Sequence, residues 1–344
     1  MSPPDADDSI IKPPRMTSAL FGHRHAESAL LSAYRGGRIP HAFLIVGPKG
    51  IGKATLAYRM ARFVLAHPDP SAPEVAAART LAVDPEHPVS RRIAAQAQGD
   101  LLVLERTPNE KGVLRQQIAV DDVRRTVSFF GSTAGQGGSR IAVVDAVDEL
   151  NRSSANALLK VLEEPPPRAL LLLVSHSAAR VPATIRSRCC MLSLRPLPQV
   201  ELLAALAAAT GGTSEGAEIA EAASAAEGSV GRALALLQGQ ALDLRQRAMA
   251  MLDRLPAVDS NALHALGDAM AGTDPQTLAI FVDTVNAWLS QRLARGAGEL
   301  ARLNRLAEAS ERINQAARDV ETYNLERKPL VFSVFGLLAE AARG

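Results

Sequence analysis

Five consecutive apolar residues, Ala42-Phe43-Leu44-Ile45-Val46, run straight into Gly47-Pro48-Lys49-Gly50-Ile51-Gly52-Lys53, and a helix-forming stretch follows to about Leu65. A short, continuously apolar run is what a strand buried on both faces of a parallel sheet requires. The turn after it has the G-x-x-x-x-G-K spacing in the one context that gives it meaning, between a strand and a helix. Gly47, Gly50 and Gly52 let backbone N–H groups turn in around phosphate oxygens. The helix N-terminus adds the positive end of its dipole, and Lys53 supplies a cation. This strand–loop–helix unit commits the first part of the chain to an α/β layer fold.

The residue after Lys53 decides what such a loop can do. A Ser or Thr there holds Mg²⁺ through its hydroxyl, and this chain has Ala54. Thr55 is one helical step further on, about 100° around the helix. It cannot take over the metal, although it can still touch a phosphate. A second apolar strand, Ile141-Ala142-Val143-Val144, ends in Asp145, the position from which a carboxylate steers Mg²⁺ in P-loop enzymes. Sites of this kind that hydrolyse ATP carry a Glu next, and here that place is taken by Ala146. Asp148 and Glu149 follow; they read first as helix-entry or surface acids, and second as replacements for the missing Glu. Two losses at separate positions predict a site that cradles phosphate without efficient hydrolysis. The glycine set and Lys53 predict that ATP or ADP binds weakly or without turnover, and the loss at Ala54 predicts no metal ligand set.

The rest of the first half repeats the strand–helix alternation. Strands are expected at 42–46, 101–104, 141–144 and 170–174, with 101–104 buried like the others. Helices are expected at about 23–34, 53–65, 118–130 and 153–162, with one short helix near 89–95. Past Pro198 everything reads as helix. With 344 residues and only 3% aromatics, the chain predicts several domains whose helices pack through small side chains. The boundaries expected are a disordered Pro- and Asp-rich tail at 1–17, an α/β nucleotide-binding core at 18–195, a small helical lid at 196–240 and an all-α domain at 241–344.

A net charge of +2 argues against a surface that grips nucleic acid all over. The only cysteines, Cys189 and Cys190, are adjacent. That excludes a disulfide-stapled secreted fold and predicts a reducing cytoplasm. No apolar run approaches the roughly 18–20 residues of a membrane span.

Beyond Asp145 the chain reads Asn156-Ala157-Leu158-Leu159-Lys160-Val161-Leu162-Glu163-Glu164-Pro165-Pro166, then Ser175, then Ser187-Arg188-Cys189. This ordered set resembles the bacterial clamp-loader AAA+ subunits over roughly residues 18–235. The resemblance implies an AAA+ core with lid and collar, and it implies that Arg188 acts in trans as an arginine finger on nucleotide bound by a neighbouring subunit. The physics suits that role, because a guanidinium offers several donors to charge on transferring phosphoryl oxygens. A local salt bridge is the other reading of Arg188. Ser175 stands where the family has a polar sensor of the γ-phosphate, and a strand-end cap is its alternative. In Gly228-Ser229-Val230-Gly231-Arg232 the resemblance places Arg232 at nucleotide from the lid, a solvated helix-start arginine being the alternative.

Two kinds of subunit in this family look alike: the ATP-hydrolysing gamma/tau subunit, and one that keeps the arginine but not the ATPase. Ala54 and Ala146 select the second, and an end at Gly344 without a further domain agrees. The implied partners are the gamma/tau and delta subunits, with the sliding clamp and primer-template DNA reached through the complex and no membrane. The rivals are an active gamma/tau-like ATPase and a non-replicative interaction module. Many family members carry a four-cysteine zinc module before the Asp145 strand. Residues 67–100 contain no cysteine, so no zinc is expected.

Overall fold

The computed structural model describes residues 12–107, 115, 117–131, 138–211, 216–271, 275–295 and 300–343. They fall into two compact units, Met1–Ala233 and Leu234–Gly344.

The first unit is built on five parallel strands: β1 (Ala42–Val46), β2 (Leu101–Glu105), β3 (Arg140–Asp145), β4 (Ala169–Ser175) and β5 (Cys190–Ser193), in the spatial order β2-β3-β4-β1-β5. The helices between them are α1 (Arg24–Arg35), α2 (Lys53–Ala66), α3 (Pro73–Ala77), α4 (Pro88–Ala94), α5 (Val120–Gly131), α6 (Arg152–Glu163) and α7 (Ala183–Arg186). Then come α8 (Gln199–Thr210), α9 (Gly216–Ala225) and α10 (Val230–Leu236). The expected α/β architecture with a parallel sheet and flanking helices is what the structure has. β1 and β4 are buried along their whole length and β3 along its middle, as continuous apolar runs in the middle of a parallel sheet demand. Each fully buried Leu or Ile there, such as Leu44, Ile45 or Leu172, stabilises the fold by about 1.5–3 kcal/mol.

Four features differ from the sequence expectation. β2 is an edge strand whose Leu101, Leu102 and Val103 are only half-buried; an apolar run does not say which strands flank it. β5 was not expected, because its Cys-Met-Leu-Ser is short and largely exposed at the other edge. The 67–100 excursion holds two short helices, α3 and α4, instead of one. Residues 12–17, placed in the tail by composition, form a 3-10 turn at Pro14–Met16 on the side of α2. The cause is Arg62, which is 4% exposed and donates to the carbonyls of Arg15 and Thr17, the latter at 2.9 Å.

The same helix explains the excursion. Glu27 and Arg59 are both buried and pair at 2.7 Å. The same Glu27 oxygen, Oε1, also accepts the Leu81 N–H at 3.0 Å. Arg35 Nε donates to Val75 O at 2.7 Å, and Tyr34 donates to the His67 carbonyl. Val75, Leu81 and Ile93 are buried, so polar pins and three apolar anchors hold the segment. The Cys189 thiol is half-buried and pushed up to about 12 by burial, the state of an inert packing residue.

The second unit is all-helical: α11 (Ala241–Leu252), α12 (Ser260–Ala269), α13 (Pro275–Arg295), α14 (Leu300–Tyr323) and α15 (Arg327–Arg343). α13 packs on α11 and α14, and α15 on α12 and α14, around buried Phe281, Val285, Trp288 and Phe335. Asn286 and Asn314 exchange amide hydrogen bonds of 2.9 and 3.1 Å between α13 and α14. No helix among the described residues is long and apolar enough to cross a membrane.

Candidate functional site

β1 lies between β4 and β5 although both come later in the chain, so the sheet order reverses beside it. Ligands of open parallel sheets bind at such a point, outside the carboxyl ends of the strands. The register brings three strand ends level: Val46 pairs with Ser175, and Asp145 with Val174. The 47–53 loop, Asp145 and Ser175 therefore lie together at the carboxyl end of the sheet.

The loop's shape is fixed from several sides. Gly47 sits so close to the strand-β5 exit that a Cβ there would lie 2.6 Å from Leu194 O. Gly50 has φ +78°, and its Cβ would meet Ser229 Oγ at 2.4 Å. Four consecutive carbonyls are taken up. Pro48 O accepts from Lys53 Nζ at 2.6 Å, Lys49 O from Ser229 Oγ at 3.0 Å, and Gly50 O from Gly231 N at 2.9 Å. Ile51 O lies 2.7 Å from His23 Nε2, which must carry the proton to donate. A trans peptide points its N–H away from its C=O. The N–H groups of Gly50, Ile51 and Gly52 thus face the side opposite their anchored neighbours, the arrangement that receives phosphate oxygens.

Lys53 begins α2 and is only 3% exposed. Burial pushes its ammonium down to about 8, while the nearby Asp145 and Asp148 charges pull the other way. Asp145 is pushed up to about 6, again by burial, against the attraction of Lys53. His176 falls to about 4 through burial and then the Lys53 charge, so its ring is neutral at pH 7. Its Nδ1 is buried with no hydrogen-bond partner. A buried polar atom left unpaired is costly, and beside Lys53 it fits a phosphate-bearing ligand.

The remaining expected residues are placed as follows. Thr55 is half-buried in the first turn of α2 beside Ala54. Ser175 is fully buried, and its hydroxyl donates to Ser177 O at 3.0 Å and accepts from Ser177 N at 3.1 Å, closing the turn after β4. Arg232, at the start of α10, pairs with Glu227 at 3.1 Å. Arg188 follows α7 and pairs with Glu163 at 3.0 Å on an exposed part of the unit. Neither candidate replacement acid is uncommitted: Asp148 accepts the His176 N–H at 3.0 Å, and Glu149 pairs with Arg106 at 2.8 Å. His23 and His176 carried no sequence signal, and Ser229 was quoted only as part of the Arg232 motif, because each acts on a backbone or charge far away in the chain. Among the described residues no group of three or more His, Cys, Asp or Glu is placed to hold a metal ion.

Residues 22–198 match the family model described as DNA polymerase III, delta subunit. A Pseudomonas aeruginosa protein named DNA polymerase III subunit delta' is 39% identical over 165 residues, 47% of this chain and 46% of that one. The Escherichia coli protein of the same name is 30% identical over 224 residues, 63% of this chain and 60% of its own length. DNA polymerase III subunit tau of Escherichia coli is 28% identical over 184 residues, 54% of this chain and 26% of its own. This chain thus spans about half the length of the delta' relatives it matches. Among solved structures, a DNA polymerase III gamma subunit-related protein of Thermotoga maritima gives a TM-score of 0.47 at 16% identity, covering 91% of this chain and 99% of that one.

Proposed function

Because this chain belongs to the DNA polymerase III delta-subunit family, we propose that it serves as the delta' subunit of a clamp loader, keeping a nucleotide-shaped site while leaving hydrolysis to a neighbour. In this reading it stands beside a gamma/tau subunit and sets Arg188 against the γ-phosphate bound there. The assembly, with its delta subunit, then places the sliding clamp on primed DNA in the cytoplasm. Residues 196–240 act as the lid and 241–344 as the collar through which the subunits associate.

The observation that carries the proposal is the state of the acids around the loop. Ala54 offers no oxygen to a metal and Ala146 no carboxylate to a water. The two acids that follow Ala146, Asp148 and Glu149, are engaged with the His176 N–H and with Arg106. Nucleotide phosphates fit the loop N–H groups, with Lys53, Arg232 and the His176 Nδ1 as further contacts and Thr55, Asp145 and Ser175 nearby. When bound, the nucleotide supplies negative charge that Lys53 can meet once it leaves Pro48 O.

The test is ATP turnover by the isolated chain and by the complex reconstituted with gamma/tau and delta. The isolated chain should be inactive, and Arg188→Ala should lower turnover by the complex by ~10³-fold, the order expected for an arginine finger. Robust turnover by the isolated chain that Lys53→Ala abolishes would establish a self-sufficient gamma/tau-like ATPase instead.

A further inference from the structure

We propose that Glu163 is a positioning residue for Arg188, holding its guanidinium in the one orientation that can serve a neighbouring subunit. The inference rests on the finger reading of Arg188 and names what aims it.

Arg188 is gripped from two elements. Its Nη1 donates to Thr184 O of α7 at 2.9 Å and lies 3.3 Å from Ser187 Oγ. Its Nη2 pairs with Glu163, the last residue of α6, at 3.0 Å. Both grips stand on rigid ground: Val161 and Leu162 precede Glu163, Ile185 lies in α7, and all three belong to one buried apolar cluster. The guanidinium is therefore referenced to the core of the unit and not only to its own flexible stem. The contacts engage Nη1 and Nη2 and leave Nε–H for a further acceptor. The side chain remains 36% exposed and that of Glu163 51%.

Such an exposed pair adds little stability, so its value lies elsewhere. A planar fork with five donors loses less freedom on binding when it is already oriented, and a small misplacement of a reacting or charge-stabilising group costs turnover steeply. Thr184 O alone restrains one nitrogen and leaves the plane free to rotate. Glu163 supplies the second point that fixes the plane. A Gln at that place keeps an acceptor at the same reach, whereas an Ala removes it.

The experiment measures ATP hydrolysis at saturating and subsaturating ATP by the complex of this chain with gamma/tau and delta. Glu163→Ala should lower kcat roughly tenfold with KM unchanged, and Glu163→Gln should restore it to within about twofold of the parent. In an Arg188→Ala background, Glu163→Ala should change nothing further, because there is no guanidinium left to aim. The inference is overturned if Glu163→Ala leaves kcat unchanged or raises it, the latter marking the pair as a restraint. It is equally overturned if Gln fails to rescue, or if Glu163→Ala lowers turnover again without Arg188. If Arg188→Ala itself leaves turnover intact, the finger reading falls and this inference with it. An effect of Arg188→Ala without any effect of Glu163→Ala removes the positioning role alone.

Discussion

A single methyl group added at Gly50 measures how tightly the 47–53 loop is covered by the 228–232 turn. The substitution Gly50→Ala places an L side chain at φ +78°, a left-handed conformation that costs about 1–2 kcal/mol. The new Cβ would also lie 2.4 Å from Ser229 Oγ and 3.2 Å from Gly231 Cα. The Ser229 hydroxyl must move, giving up its bonds to Lys49 O and from Arg232 N, each about 0.5–1.5 kcal/mol. The expected loss is about 3 kcal/mol. Ser229→Ala alone forfeits the same two bonds, about 2 kcal/mol. The double variant should cost no more than Gly50→Ala by itself, since the hydroxyl that blocks the methyl is gone. That leaves a coupling of about 2 kcal/mol, well above the roughly 0.3–0.5 kcal/mol scatter of independent sites. Urea unfolding followed by far-UV circular dichroism gives the four stabilities. Fluorescence of the sole tryptophan, Trp288, reports the helical unit as an internal reference. Additive costs would refute the close approach of loop and turn.

Glu27→Ala should destabilise the first unit by about 3–5 kcal/mol, because it strands the buried Arg59 charge and the Leu81 N–H; a loss under 1 kcal/mol by urea titration would contradict the pairing. Asp145, raised from its ordinary 3.8 to about 6, holds its proton more tightly when folded. Its contribution is therefore complete below about pH 4 and lost as pH rises through about 6, so Asp145→Asn should gain about 2–3 kcal/mol relative to the parent between those limits. Identical pH profiles would show that Asp145 is not desolvated. In the second unit, Asn286→Leu should cost about 1–3 kcal/mol by leaving Asn314 Oδ1 without its donor, and adding Asn314→Leu should recover most of it; a double variant as unstable as the single would speak against the amide pair.

Much of the core was legible because its signals are local. Ala42–Val46 and Ala169–Val174 are unbroken apolar runs, and each strand lies within a residue of its expected bounds. The glycine-rich loop lies between β1 and α2, and Asp145 at the end of β3, as spacing and flanks predict. What stayed hidden depends on residues distant in sequence. Glu27 meets Arg59 and Leu81, and Ser229 meets Lys49 across 180 positions; no periodicity encodes such partners. Leu101–Glu105 showed its strand character but not its edge position, which depends on the neighbours the topology gives it. β5 is too short and too exposed to leave a pattern, and Asp148 and Glu149, read first as helix-entry or surface acids, have partners in the His176 N–H and Arg106 that lie elsewhere in the chain.

The wiring of residues 48–51 bears on how genes of this kind drift. Each of those four carbonyls is claimed by a different group: Lys53, Ser229, Gly231 and His23. Gly50 is the only residue type that lets the 228–232 turn settle where it does. Selection for a sound fold alone would therefore preserve the glycine signature, whether or not turnover is selected. Ala54, half-buried at the start of α2 and without a polar side chain, is under no comparable constraint.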